Sequence, residues 1–116
     1  MKRTTTKPVQ VMFADKNISR AYEKLENSQN QDDRKLFAQI KEAIDELKKD
    51  PFCGIEIPKK IIPKRYIQLY EVDNLWKYDM RNGWRLIYTN VADEVKILSV
   101  VLEWFDHSEY EKRFGY

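Results

Sequence analysis

The residues best suited to chemistry are basic side chains that stand close to aromatic side chains. Arg85 lies in the run 74–89 (NLWKYDMRNGWRLIYT), which contains two tryptophans and two tyrosines. Three further groups contain bases with no acid among them: Lys2, Arg3 and Lys7; Lys59, Lys60, Lys64 and Arg65; and Lys112 with Arg113. Cationic groups bind phosphate, and aromatic rings stack on nucleobases. Each group taken singly is more often a solvated surface than a binding patch, so the position of Arg85 in the fold matters most.

A β-hairpin must position Arg85. Asn82-Gly83, between two runs of alternating residues, is typical of a two-residue type I′ turn, because both central residues need positive φ. Such a turn pairs Met80 with Arg85, and paired residues share a face of the sheet. One predicted face carries Trp76, Tyr78, Met80, Arg85 and Ile87, and the other carries Lys77, Asp79, Arg81, Trp84, Leu86 and Tyr88. A one-residue bulge would reverse the faces of the first strand relative to the second and bring Lys77 beside Arg85.

The other elements predict an α+β fold in which an αα-hairpin packs on a small, mostly antiparallel twisted sheet. Alternating residues favour a first strand near 9–13, and apolar residues spaced by three and four favour helices over 16–27 and from Asp32 to just before Pro51. The proline-punctuated segment 52–73 predicts a long crossover with a short helical turn near 64–70. The order β-α-α-β-β-β is completed by strands near 75–81 and 84–90, a turn at 90–94, an interior strand ending near Trp104, and a closing turn of helix.

Composition predicts one soluble domain, residues 1–116, in a reducing cytoplasm. The chain has 42% hydrophobic and 34% charged residues, and no repeat or Gly-rich stretch marks a linker. Its net charge of +2 does not by itself indicate a polyanionic partner. No apolar run suits a membrane span or a secretory signal, and Cys53 has no second cysteine to pair with. One histidine and one cysteine cannot form a zinc site, so any catalysis is predicted to need neither a metal nor another cofactor.

The hairpin run, the following strand 95–104 (VKILSVVLEW) and the closing segment 107–116 (HSEYEKRFGY) together resemble the RelE/ParE superfamily of toxins from type II toxin–antitoxin systems. The resemblance is strongest over 74–116 and is supported upstream by the order of the helices. It is closest to the RelE-like branch, in which a strand tryptophan or tyrosine is followed by Arg-Leu-Ile-Tyr.

This resemblance implies a ribosome-dependent endoribonuclease that cuts mRNA by attack of a ribose 2′-hydroxyl on its own 3′ phosphate, and so inhibits translation. Arg85 matches the family's strand arginine, which would stabilise the phosphorane charge. Tyr110 matches the C-terminal tyrosine, and His107 resembles the terminal histidine of YoeB-like and HigB-like members. His107 is the chain's only imidazole, a group whose reference pKa of about 6.5 suits proton exchange near neutral pH.

The implied partners are a cognate antitoxin protein, mRNA and the ribosome, with no membrane. The oligomeric state is left open. The side chains that would contact RNA are Lys59, Lys60, Lys64, Arg65, Trp76, Lys77, Tyr78, Arg81, Lys112 and Arg113.

The chain departs from the RelE pattern in two places. The predicted register sets aromatic residues where family members carry lysines on the face of the arginine, and Phe105 and Asp106 stand where many carry a second arginine. Trp76 and Tyr78 would then stack on bases, or catalysis would fall on His107 and the tail tyrosine, or the fold no longer cleaves RNA. Two alternative functions follow: a ParE-like toxin that inhibits DNA gyrase by binding, and an inactive RelE-fold protein that only binds an antitoxin-like peptide.

Each candidate residue also has a structural alternative. Arg85 would pair with Glu103, Asp106 or Glu109, His107 would cap a helix, and the tail aromatics Tyr110, Phe114 and Tyr116 would anchor the C-terminal segment. Convergence of Arg85, His107 and Tyr110 on one open surface is what the nuclease hypothesis requires and the gyrase hypothesis does not.

Overall fold

The computed structural model describes residues 7–115 and has an α+β fold. Lys2, Arg3 and Tyr116 lie outside the described residues. The strands are Val9–Phe13 (β1), Ile55–Ile57 (β2), Leu75–Asp79 (β3), Arg85–Ala92 (β4) and Ile97–Phe105 (β5). The helices are Lys16–Glu26 (α1), Gln31–Lys49 (α2), Lys64–Tyr70 (α3) and His107–Phe114 (α4), and short 3₁₀ turns cover Lys59–Ile61 and Arg81–Gly83.

The two N-terminal helices begin at side-chain caps and form the predicted αα-hairpin. Asp15 caps α1 and Asn30 caps α2, each by accepting hydrogen bonds from backbone N–H groups of the first turn. Asp32 and Asp33 lie in the first turn of α2, where their charge complements the helix dipole. α2 ends at Lys49, two residues before a proline that cannot continue the helix.

All five strands form one mixed sheet in the order β1-β5-β4-β3-β2. β1 is parallel to β5, and the other three neighbouring pairs are antiparallel, so the predicted fold class is confirmed. β5 lies inside the sheet between β1 and β4, as its two apolar faces predict. The helical turn predicted near 64–70 is α3, whereas β2 was not predicted, because three residues before a proline carry too short a pattern.

Two apolar clusters cover the opposite faces of the sheet. The cluster under α2 contains Leu36, Ile40, Ala43, Leu47, Trp76, Leu86, Tyr88 and Val101. The cluster under α3 and α4 contains Ile57, Ile62, Tyr66, Leu75, Ile87, Leu102, Phe105 and Tyr110. Because both faces are buried, a slip of one residue would exchange the two sets of side chains, so the strand register is strongly specified. Among residues 7–115, no helix is long and apolar enough to cross a membrane.

The turn between β3 and β4 contains one residue more than the sequence predicts. Asn82 and Gly83 both have positive φ, at 60° and 79°, in agreement with the prediction for these two positions. However, the backbone N–H of Met80 donates to the carbonyl of Trp84 (2.8 Å), so Arg81 is an additional residue inside the turn.

This additional residue shifts the pairing by one position, and the predicted faces of β3 are therefore wrong. Asp79, rather than Met80, pairs with Arg85. Lys77 and Asp79 consequently lie on the same face as Arg85, toward α4. Trp76 and Tyr78 lie on the other face, toward α2.

Candidate functional site

Arg85 is the first residue of β4, and its guanidinium lies next to three polar groups. Nε lies 2.9 Å from Asp79 Oδ1 but makes no hydrogen bond within the described residues, so this contact is a charge pair without a directed bond. One terminal nitrogen donates to the carbonyl of Trp84, and the other lies 3.4 Å from His107 Nδ1. The carboxylate partner of Arg85 is on β3, and not on β5 or the tail as the structural alternative held.

Lys77 brings a second cation to the same place. Its Nζ lies 3.4 Å from Asp79 Oδ1, the same oxygen that Arg85 Nε approaches. The side chains of Lys77 and Arg85 are 18% and 16% exposed, whereas that of Asp79 is 43% exposed. One carboxylate oxygen therefore lies between two largely buried cations, in the position that a phosphate oxygen would take if it bound there.

Tyr110 of α4 packs against both cations. Lys77 Nζ lies 5.0 Å and Arg85 Cζ 5.3 Å from the centroid of its ring, which is within the range of cation–π attraction. The ring also packs against Phe105 and Phe114, with centroids 6.3 and 4.7 Å away, and Tyr110 is only 5% exposed. Tyr110 thus anchors α4 and supports the cations, while proton transfer by its hydroxyl stays a prediction.

His107 is the first residue of α4, directly after the cap. The capping role is taken by Asp106, whose carboxylate accepts a hydrogen bond from a backbone N–H of the first turn. The exposed imidazole turns Nδ1 toward Arg85 and places Nε2 2.6 Å from Glu111 Oε1. The β3–β4 turn packs closely against it, since a Cβ on Gly83 would lie 3.0 Å from His107 Cβ.

Arg85, His107 and Tyr110 therefore meet at one surface, where the β3–β4 turn contacts α4. Two acidic residues complete the surface and were not predicted from the sequence. Asp79 was assigned to the opposite face by the wrong register. Glu111 carried a usable signal, because a residue four positions after His107 lies beside it on a helix.

The aromatic residues proposed to stack on RNA lie on the other face of the sheet. Trp76 is 6% exposed and packs against Phe52 and Tyr88, so neither of its ring faces is available to a base. Tyr78 is half-buried and packs against the cluster under α2, and burial is the largest cause that raises the pKa of its phenol. Neither residue shares the face of Arg85.

The basic group at residues 59–65 is exposed but lies elsewhere. Lys59 and Lys60 are in a 3₁₀ turn, and Lys64 and Arg65 begin α3. This group follows Ile57, which pairs with the first residue of β3, so it leaves the sheet at the end opposite the β3–β4 turn. Contact with RNA at these four side chains stays a prediction, separate from the site.

The remaining basic candidates differ from one another. Arg113 is largely neutralised, because it forms ion pairs with Glu103 (2.7 Å) and Glu109 (3.3 Å). Lys112 is exposed on α4. Arg81 is exposed in the turn, 3.8 Å from Glu42 of α2. Lys7, outside these candidates, donates a hydrogen bond to the carbonyl of Asp93 (2.7 Å).

No family model, curated protein or solved structure matches this chain. Within residues 7–115, no group of three or more His, Cys, Asp or Glu side chains is arranged to hold a metal ion. The site itself gathers two cations, an imidazole and two carboxylates on one surface.

Proposed function

We propose that this chain is a RelE-like toxin of a type II toxin–antitoxin module that cleaves mRNA on the ribosome and so inhibits translation. The observation that carries the proposal is the contact of a guanidinium with an imidazole: Arg85 lies 3.4 Å from His107 Nδ1, with Lys77 and the Tyr110 ring beside it. Cleavage of RNA by its own 2′-hydroxyl needs a base for that hydroxyl and positive charge for the phosphorane, and this surface offers both.

The chemistry assigns one step to each group. A phosphate bound by Arg85 and Lys77 would replace the Asp79 carboxylate between them. His107 Nδ1 then takes the proton of the 2′-hydroxyl, the 2′-oxygen bonds to phosphorus, and the bond from phosphorus to the 5′-oxygen breaks. The products are a 2′,3′-cyclic phosphate and a 5′-hydroxyl, whose oxygen takes its proton from water, and His107 releases the proton that it accepted to the solvent. Arg85 stabilises the charge that develops on the phosphorane, and the ring of Tyr110 keeps both cations in place.

One observation favours a second candidate, an inactive RelE-fold protein that only binds an antitoxin-like peptide. Asp79 Oδ1 already occupies the space between Lys77 and Arg85, and an acidic residue at this point opposes the binding of phosphate. Because Asp79 is 43% exposed, its side chain has room to turn away from the cations, and we therefore rank the nuclease first. A ParE-like inhibitor of gyrase does not require an imidazole beside the guanidinium, so the site supports it less.

The proposed toxin requires an antitoxin, and its action on translating ribosomes places it in the cytoplasm. No metal or other cofactor enters the proposed steps, because the base and the cations are side chains of this chain.

Induced expression followed by mapping of mRNA 5′ ends tests the proposal. The wild type should produce new ends within translated regions, whereas Arg85→Ala should not, although both proteins accumulate as folded chains. Arg20→Ala is the matched control, because it removes an exposed arginine of α1 and should cleave like the wild type. Growth inhibition that persists in Arg85→Ala, with DNA-damage signals and no new RNA ends, would support the gyrase alternative. A wild type that inhibits nothing and cuts nothing would support the inactive one.

A further inference from the structure

The two ring nitrogens of His107 face groups of opposite charge. Nδ1 lies 3.4 Å from a terminal nitrogen of Arg85, and Nε2 lies 2.6 Å from Glu111 Oε1. A guanidinium can only donate hydrogen bonds and a carboxylate can only accept them. The neutral imidazole that satisfies both neighbours therefore carries its proton on Nε2 and turns the lone pair of Nδ1 toward Arg85.

Three neighbours contact the side chain of His107, two of them at the ring and one at the Cβ atom. Glu111 holds Nε2 from one helical turn further along α4, and the backbone of Gly83 packs against the Cβ atom. Arg85 faces the remaining edge, at the point where the proposed reaction needs a base. Of these three contacts, that of Glu111 is the shortest polar one and can be removed without changing either strand.

The charges around His107 also give Glu111 a function during proton transfer. An imidazole that accepts a proton at Nδ1 becomes positive beside Arg85 and at the N-terminus of α4, and both disfavour a positive charge. The carboxylate of the helix cap, Asp106, is engaged with a backbone N–H, and that of Asp79 is engaged with Lys77 and Arg85. Glu111 is the carboxylate in contact with the ring itself.

We propose that Glu111 is a positioning residue for His107: it holds the Nε2–H form, aims Nδ1 at the phosphate site and stabilises the imidazolium that forms when the 2′-hydroxyl loses its proton. This inference rests on the proposed function and adds an acidic partner to its base. The arrangement follows the general logic of a carboxylate that orients a catalytic histidine.

The test uses Glu111→Ala and, as a matched control, Glu109→Gln, which removes a carboxylate of the same helix that pairs with Arg113 instead. Because His107 is the only histidine, its ring protons can be followed by NMR without ambiguity. In Glu111→Ala the neutral ring should lose its preference for the Nε2–H tautomer, because Nε2–H has lost its carboxylate acceptor, and the ring ¹⁵N shifts measure this change. Cleavage of mRNA on purified ribosomes at neutral pH should fall roughly ten- to a hundredfold. Glu109→Gln should change neither measurement.

Two results would overturn the inference. An unchanged tautomer ratio in Glu111→Ala would mean that the carboxylate does not hold the ring. A changed tautomer ratio with an unchanged cleavage rate would mean that the orientation of His107 does not serve the reaction. Failure of the proposed function is seen separately, because it shows in the wild type, whereas these two results concern only the variant.

Discussion

Arg113 lies within α4 and Arg85 faces this helix from β4, and the surroundings of the two arginines are different. Arg113 donates from one terminal nitrogen to both oxygens of Glu103 (2.7 and 2.8 Å) and from Nε to Glu109 (3.3 Å). Arg85 meets a single oxygen of Asp79 with no directed hydrogen bond, and its other polar neighbour on α4 is an imidazole. The two guanidinium groups thus differ in their hydrogen-bond acceptors, which are carboxylates for Arg113 and a carbonyl and an imidazole for Arg85.

The two arginines are alike in their burial and in their contact with an aromatic ring, two features that are often taken as signs of function. Their side chains are 20% and 16% exposed, and each lies over an aromatic ring, Arg113 over Phe105 at 5.2 Å and Arg85 over Tyr110 at 5.3 Å. Burial lowers the pKa of Arg113, but the hydrogen bonds and charge of Glu103 more than reverse this, so that its pKa lies above the ordinary value. Hydrogen bonds to carboxylates, and not burial or ring contact, therefore distinguish an arginine that stabilises the fold from one whose charge can bind a substrate.

The largest expected effect separates the two arginines by activity. Arg85→Ala should reduce the rate of mRNA cleavage on ribosomes by about 10²–10³-fold, because it removes the main charge facing the phosphorane. Arg113→Ala should leave the rate per folded molecule within about threefold, since that guanidinium is engaged by two carboxylates. The comparison fails if both variants lose cleavage equally while circular dichroism shows that they remain folded.

The effects of the two arginine substitutions on stability should have the reverse order. Arg113→Met leaves Glu103 without its partner in a largely buried position and should lower the free energy of unfolding by about 2 kcal/mol. Arg85→Met should cost less than about 1 kcal/mol, because Lys77 still pairs with Asp79. Urea unfolding of both variants measures this difference, and a larger loss in Arg85→Met would assign Arg85 to the fold.

A change at Asp79 sharpens the comparison by removing the carboxylate charge that faces Arg85. Asp79→Asn removes the charge that competes with phosphate, so affinity for a short 2′-O-methyl RNA should rise about three- to tenfold at low salt. Asp45→Asn is the control, because it makes the same charge change on the exposed surface of α2. Fluorescence anisotropy at several salt concentrations measures both, and an equal gain in the control would show that only net charge matters.

The smallest expected effect concerns the ring under the cations. Tyr110→Phe keeps the ring face that Lys77 and Arg85 contact, so cleavage should stay within about threefold of the wild type. Tyr110→Leu removes that face and should reduce cleavage further. A loss in Tyr110→Phe as large as that in Arg85→Ala, measured in the same ribosome assay, would instead assign the hydroxyl to proton transfer.

Much of this architecture follows from local patterns in the sequence. The caps and apolar stripes of α1 and α2, the interior position of β5 and the positive φ of Asn82 and Gly83 were all predictable, because each depends on residues close together in the chain. The helix at the end of the chain was predictable for the same reason.

The site was only partly predictable. The prediction that Arg85 and His107 converge depended on a resemblance to a family and not on the periodicity of the sequence. The face of Lys77 and Asp79 was predicted wrongly, because whether Arg81 belongs to a strand or to the turn is decided by the packing of both sheet faces. Pairing of Arg113 with Glu103 could not be read from composition either, since several acids lie within reach of each base.

The parallel pairing of β1 with β5 has a consequence for how the molecule is made. β1 is synthesised well before its only neighbour in the sheet that the structure describes, so it has no strand to pair with until β5 has been made. Contacts so distant along the chain form slowly. A nascent chain that ends before β5 and α4 therefore lacks both the partner strand of β1 and His107, so the proposed toxin would not yet carry its proposed base while a ribosome is still producing it.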